Sequence, residues 1–167
     1  MLKTVLTASA GALALGLGGC DGGTPAPQAS PTAQVVPENP PGIVLSDARI
    51  QLPAVSGRPG AAYFTVSQAS GAPRSIAGVT VAMVGRTELH ETMKSGGASS
   101  MKPLKTVPLA SGQSVAFEPG GRHVMLFDLD PKLRFEDQTD LTVRFDNGDE
   151  ARAKARVTTV NDVEAKP

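Results

Sequence analysis

The stretch Asp140–Val160, DLTVRFDNGDEARAKARVTTV, admits two readings, and the choice between them sets the fold. By propensity alone ARAKARV suits a helix, because Ala, Arg and Lys are all good helix formers. Its alternation argues otherwise. Arg152, Lys154 and Arg156 fall on one face, as they do on a half-buried strand. DLTVRF before it is strand-like, and Asp146-Asn147-Gly148-Asp149 between the two is turn-forming, so the segment predicts a closing β-hairpin. Upstream the pattern repeats. Short apolar runs (Ile43–Leu52, Gly60–Val66, Ser75–Val84, Arg86–Met93, Val107–Ala110, Ser114–Glu118, Arg122–Leu129) are separated by turn residues such as Pro53 and Pro119-Gly120-Gly121. The spacing predicts an all-β domain, an antiparallel sandwich or barrel, over residues 43–160 with a short tail at 161–167. Met83, inside the apolar SIAGVTVAMV run, is expected to fill the core. KSGGASSMKP, Lys94–Pro103, is expected to be a mobile loop.

What precedes the domain is of another character. Met1–Lys3 carry positive charge, and Val5–Leu17 form a short apolar run ending in Leu17-Gly18-Gly19-Cys20. That is the layout of a signal peptide over residues 1–19, and its end resembles a bacterial lipobox, in which the Cys is acylated. Asp21 after it resembles an inner-membrane retention signal. The mature chain then begins at Cys20, a lipid anchor on the periplasmic side of a bacterial membrane. Residues 20–42 hold six of the 14 prolines and almost nothing that enters a core, which predicts an extended tether.

Composition excludes several functions. With 16 basic and 16 acidic residues there is no electrostatic footprint for nucleic acid, and one Tyr and no Trp leave little surface for stacking bases. A single Cys excludes an internal disulfide framework, a thiolate metal cage and a CxxC redox pair. No nucleophile–base dyad, motif-placed carboxylate pair or phosphate loop suggests an enzyme. What remains is a concentration of rare residues: both His, and three of the four Met after the initiator, lie between residues 90 and 125. Imidazole and thioether without thiolate form a soft donor set, and thioethers select Cu(I) over zinc, iron or magnesium. Asp128 and Asp130 are better read as turn formers, because hard oxygens suit hard cations.

Spacing adds geometry. In a strand, His123 and Met125 project to the same face while Val124 and Leu126 face the other way. His90 falls near the end of a second strand, and Met101 in the flexible stretch. Taken singly each residue has an ordinary explanation: Met125 as core, His90 as a surface imidazole paired with a neighbouring Glu. Taken jointly, a Met at both offsets by chance is on the order of one in a thousand.

The run His90, ten residues, Met101, twenty-one residues, His123, one residue, Met125 resembles the H-x10-M-x21-H-x-M motif of the periplasmic copper chaperones of the PCu(A)C type. LPAVSGRPGAAYFTV, ELHETM and PGGRHVMLFDL are similar to that family's recurring segments. The resemblance implies a cupredoxin-like Greek-key β-sandwich binding one Cu(I) through His90, Met101, His123 and Met125, with Met93 peripheral. It implies delivery of copper for the Cu(A) centre of cytochrome c oxidase, to oxidase subunit II or beside a Sco-type thioredoxin-like protein. The Met/His-rich tail of some members is absent, since the sequence runs out at NDVEAKP, and no second copper site is expected. Two other readings stand beside this one: a copper-sequestering protein with the same site, and a metal-free β-sandwich envelope lipoprotein.

Overall fold

Residues 39–160 are described by the structure, a computed structural model. The leader, Cys20, nearly all of the tether and the tail lie outside the described residues. Ten strands and no helix fill the described span: β1 (Ile43–Gln51), β2 (Gly60–Gln68), β3 (Arg74–Val81), β4 (Val84–Ser95), β5 (Ala98–Pro103), β6 (Val107–Leu109), β7 (Gln113–Phe117), β8 (Arg122–Leu129), β9 (Gln138–Phe145) and β10 (Glu150–Thr158).

The hairpin reading of Asp140–Val160 holds. β9 and β10 pair antiparallel from Arg144 opposite Glu150 to Gln138 opposite Arg156. Gly148 takes φ 89° in the turn, a conformation costly for other residues, and Asn147 braces it by accepting the Asp149 N–H and donating to its carboxylate. Leu141, Val143, Phe145, Ala151, Ala155 and Val157 are buried, while Arg152, Lys154 and Arg156 face solvent. Strand wins over helix because only a period of two turns this inner row toward one core.

The strand order is β5-β4-β8-β2-β1-β10-β9-β3-β6, with β7 pairing the far half of β2. The sheet curls so that β3 adjoins β4 and one apolar cluster draws on inner faces throughout the order. Phe64 and Phe117 stack within it, ring centroids 4.5 Å apart. The class is the expected cupredoxin-like β fold, with one departure from an antiparallel arrangement: β1 and β10 run parallel, Arg49 opposite Arg156 and Ile50 opposite Val157. Parallel neighbours need a long connection, here the rest of the domain, so neither strand carries a local sign of the pairing.

Two further expectations are corrected. Lys94–Pro103 is not a loop. β4 continues to Ser95 and turns at Gly96-Gly97, both with positive φ, into β5, with Met101 opposite Thr92. All of β5 is exposed at the sheet edge, so it has no core face and shows no apolar alternation. Met83 is not core either: at φ 66° it occupies the β3–β4 turn and is 42% exposed.

Candidate metal centre

Register gathers the four residues. His90 on β4 is directly opposite His123 on β8, Glu88 is opposite Met125, and Thr92 is opposite Met101 on β5. Because residues two apart share a face, His90, Met101, His123 and Met125 all lie on one face of β5–β4–β8. Leu89, Val124 and Leu126 occupy the other face, in the core. Met125 is therefore turned away from the core, and Met93, opposite Ser100 and half exposed, falls on the face opposite the other four residues.

Each imidazole is held by one nitrogen. His90 Nε2 lies 3.1 Å from Glu88 Oε2, and His123 Nδ1 lies 3.1 Å from the Gly121 carbonyl oxygen. Both partners accept only, so the protons sit on those nitrogens and the lone pairs on His90 Nδ1 and His123 Nε2. These two atoms are buried and have no hydrogen-bond partner. The rings stand 6.0 Å apart, centroid to centroid. A buried polar atom left unpaired costs about 1–3 kcal/mol, so two adjacent ones with lone pairs free are a preformed donor pair. Glu88 is itself tied to the guanidinium of Arg86, which packs over Phe127.

Exposure is graded across the set. The His123 residue is 5% exposed, the His90 side chain 16%, and Met101 62%. Met101, His123 and Met125 line an open cleft of 420 Å³ with Leu52, Pro53 and Tyr63; His90 adjoins it beside His123 without lining it. Burial pushes the Tyr63 phenol up from its ordinary pKa, and Arg49, whose guanidinium lies 5.0 Å from the ring centroid, pulls against that. Among the described residues no cluster of three or more His, Cys, Asp or Glu could hold a metal. The donors that this face brings together are two imidazoles and two thioethers, a set whose soft sulfurs suit Cu(I). Glu88 as orienter of His90 was visible in sequence only as one of two flanking acids; Glu91 instead pairs with Arg122 at 3.3 Å. Tyr63 had no signal beyond being the chain's only Tyr.

The fold is that of the PCuAC domains, cupredoxin-like β proteins. The copper-bound PCuAC domain from PmoF2 superposes with a TM-score of 0.58 at 19% identity, over 71% of this chain and 93% of that domain. The Cu(I) form of DR1885 from Deinococcus radiodurans gives 0.52 at 25% identity, over 75% of this chain and 81% of that one. Within this class, the chain belongs to the family of LpqE-like lipoproteins, which it matches over residues 43–157. A protein of Leifsonia xyli subsp. xyli, described as lipoprotein Lxx21020, is 30% identical over 138 residues, 82% of this chain and 79% of the relative.

Proposed function

We propose that this protein is an extracytoplasmic carrier of a single Cu(I), bound by His90 Nδ1, His123 Nε2 and the sulfurs of Met101 and Met125, and anchored to the envelope through lipidated Cys20. The observation that carries the reading is the pair of buried, unpartnered imidazole nitrogens on adjacent strands, flanked on the same face by two thioethers. The copper-bound PCuAC domain and Cu(I)-DR1885, alike in fold, support the choice of metal, and the family and its Leifsonia relative support the anchor.

The arrangement favours hand-on over storage. Met101 lies exposed on an edge strand, so an incoming donor reaches the metal from the side that thioether occupies. We take the recipient to be cytochrome c oxidase in assembly, at subunit II or through a Sco-type partner, a reading supported by the resemblance of the His90–Met125 motif to that of the copper chaperones. Copper-edge X-ray absorption tests the site: two sulfur and two nitrogen donors are expected, and a sulfur-free shell overturns it. A deletion strain at limiting copper tests the role. Lost oxidase copper supports delivery, whereas intact oxidase with lowered copper tolerance assigns sequestration instead.

A further inference from the structure

The metal-bearing face does not stop at β8. Ala61 of β2 lies opposite Met125, and Tyr63, two residues on, shares its face. Tyr63 is opposite Arg49 of β1, Arg49 is opposite Arg156 of β10, and Arg156 is opposite Gln138. A transverse row thus leads from the imidazoles through the tyrosine to two arginines. At about 4.8 Å per strand, Arg49 stands roughly 10 Å and Arg156 roughly 14 Å from the strand of His123.

On β10 the basic residues of this face differ in their partners. Arg152 pairs with Glu150 at 2.9 Å and Lys154 with Asp140 at 2.7 Å, so each is neutralised within the sheet. Arg49 and Arg156, side by side across the β1–β10 pairing and in line with Tyr63, make no ion pair among the described residues. Like charges directly opposite each other weaken a strand pair, and no carboxylate among the described residues pairs with either guanidinium. Arg49 is nevertheless packed against the Tyr63 ring, and Arg58, exposed, stands on the cleft wall. With zero net charge on the chain the feature is local.

We propose that Arg49 and Arg156 are the anion-recognising half of the docking surface, taking carboxylates of an acidic segment on the protein that receives the metal. The planar guanidinium fork matches a carboxylate bidentately, which fixes orientation as well as proximity. An acidic segment seated there sets the acceptor's donor side chains over Met101, within the span of one ordinary interface. Screening beyond about 8 Å at physiological salt makes this a contact effect more than a long-range attraction.

The inference rests on the copper-carrier reading, and the two fail separately. The probes are two synthetic peptides sharing one Met-x-x-His segment, flanked by four Glu in one and four Gln in the other. The acidic peptide is expected to bind the copper-free full chain about tenfold tighter at low salt and to lose that advantage at about 0.5 M NaCl. Arg49→Gln/Arg156→Gln removes the preference, and Arg156→Gln alone, which leaves Tyr63 untouched, reduces it. In each variant Cu(I) retention against a competing chelator stays at the wild-type level. Equal binding of the two peptides, or a preference that survives in the double variant, overturns the inference. So does a pair that serves only to hold vesicles of phosphatidylglycerol and phosphatidylcholine. A wild-type chain without Cu(I) affinity overturns the carrier reading, whatever the peptides do.

Discussion

Replacing Glu88 by Ala removes the acceptor for the His90 Nε2–H, the contact that leaves Nδ1 bare. Loss of a partner that orients a metal-binding imidazole costs 10–100-fold in affinity as a rule, about 1.4–2.7 kcal/mol. The structure selects the lower end of that range. The Glu88 side chain is 41% exposed and shared with Arg86, so water replaces it as acceptor at modest cost. A loss of about tenfold in Cu(I) affinity is therefore expected for Glu88→Ala, measured by chelator competition. The ¹⁵N resonances of the two imidazoles in the copper-free protein supply the second readout. His90 should move from a single tautomer toward a mixture, while His123, held by the Gly121 backbone carbonyl, stays as it was. Glu88→Gln keeps an oxygen acceptor and should keep both the tautomer and most of the affinity. An Ala variant with unchanged affinity and an unchanged His90 spectrum would refute the reasoning.

Met101→Leu with Met125→Leu keeps volume but removes both sulfurs, so Cu(I) retention should collapse while the thermal midpoint shifts little; intact binding would mean the metal sits elsewhere. As the only Tyr, Tyr63 reports its own ionisation by tyrosinate absorbance. Its folded pKa is raised, chiefly by burial, so the stability gained by keeping the phenol protonated is present below about 10 and lost as pH rises further; Arg49→Gln should raise the midpoint again, and coincident native and denatured titrations would contradict this. Leu126, fully buried on β8 between β4 and β2, should cost about 2–5 kcal/mol when cut to Ala, read as a lower urea midpoint with Cu(I) stoichiometry per folded molecule unchanged.

Most strands were legible because their inner residues alternate against a core, and β8 coincides with the run Arg122–Leu129 read from the sequence. β5 was not, since an edge strand exposed on every residue has nothing to alternate against. Met83 misled because it lies inside the apolar run Ser75–Val84, whereas β3 ends at Val81 and Ala82-Met83 form a turn, with Met83 in a left-handed conformation. At the candidate site, the shared face of His123 and Met125 follows from spacing alone. That His90 meets His123 does not: it depends on how β4 registers with β8, a long-range pairing. The imidazole tautomers and the adjacency of Arg49 and Arg156 depend on neighbours that no local pattern records.

The two-glycine turn at Gly96-Gly97 has a kinetic consequence. β5 is bonded only to β4, so this edge strand bearing Met101 can open as a small unit at a free energy well below that of global unfolding. The residence time of a cation held partly by Met101 is then set by the opening of this one flap, and the durability of the protein by the core beneath β4 and β8. Substitutions in the turn should tune how fast cargo leaves without altering how long the domain survives, so release rate and lifetime can be adjusted independently within one fold.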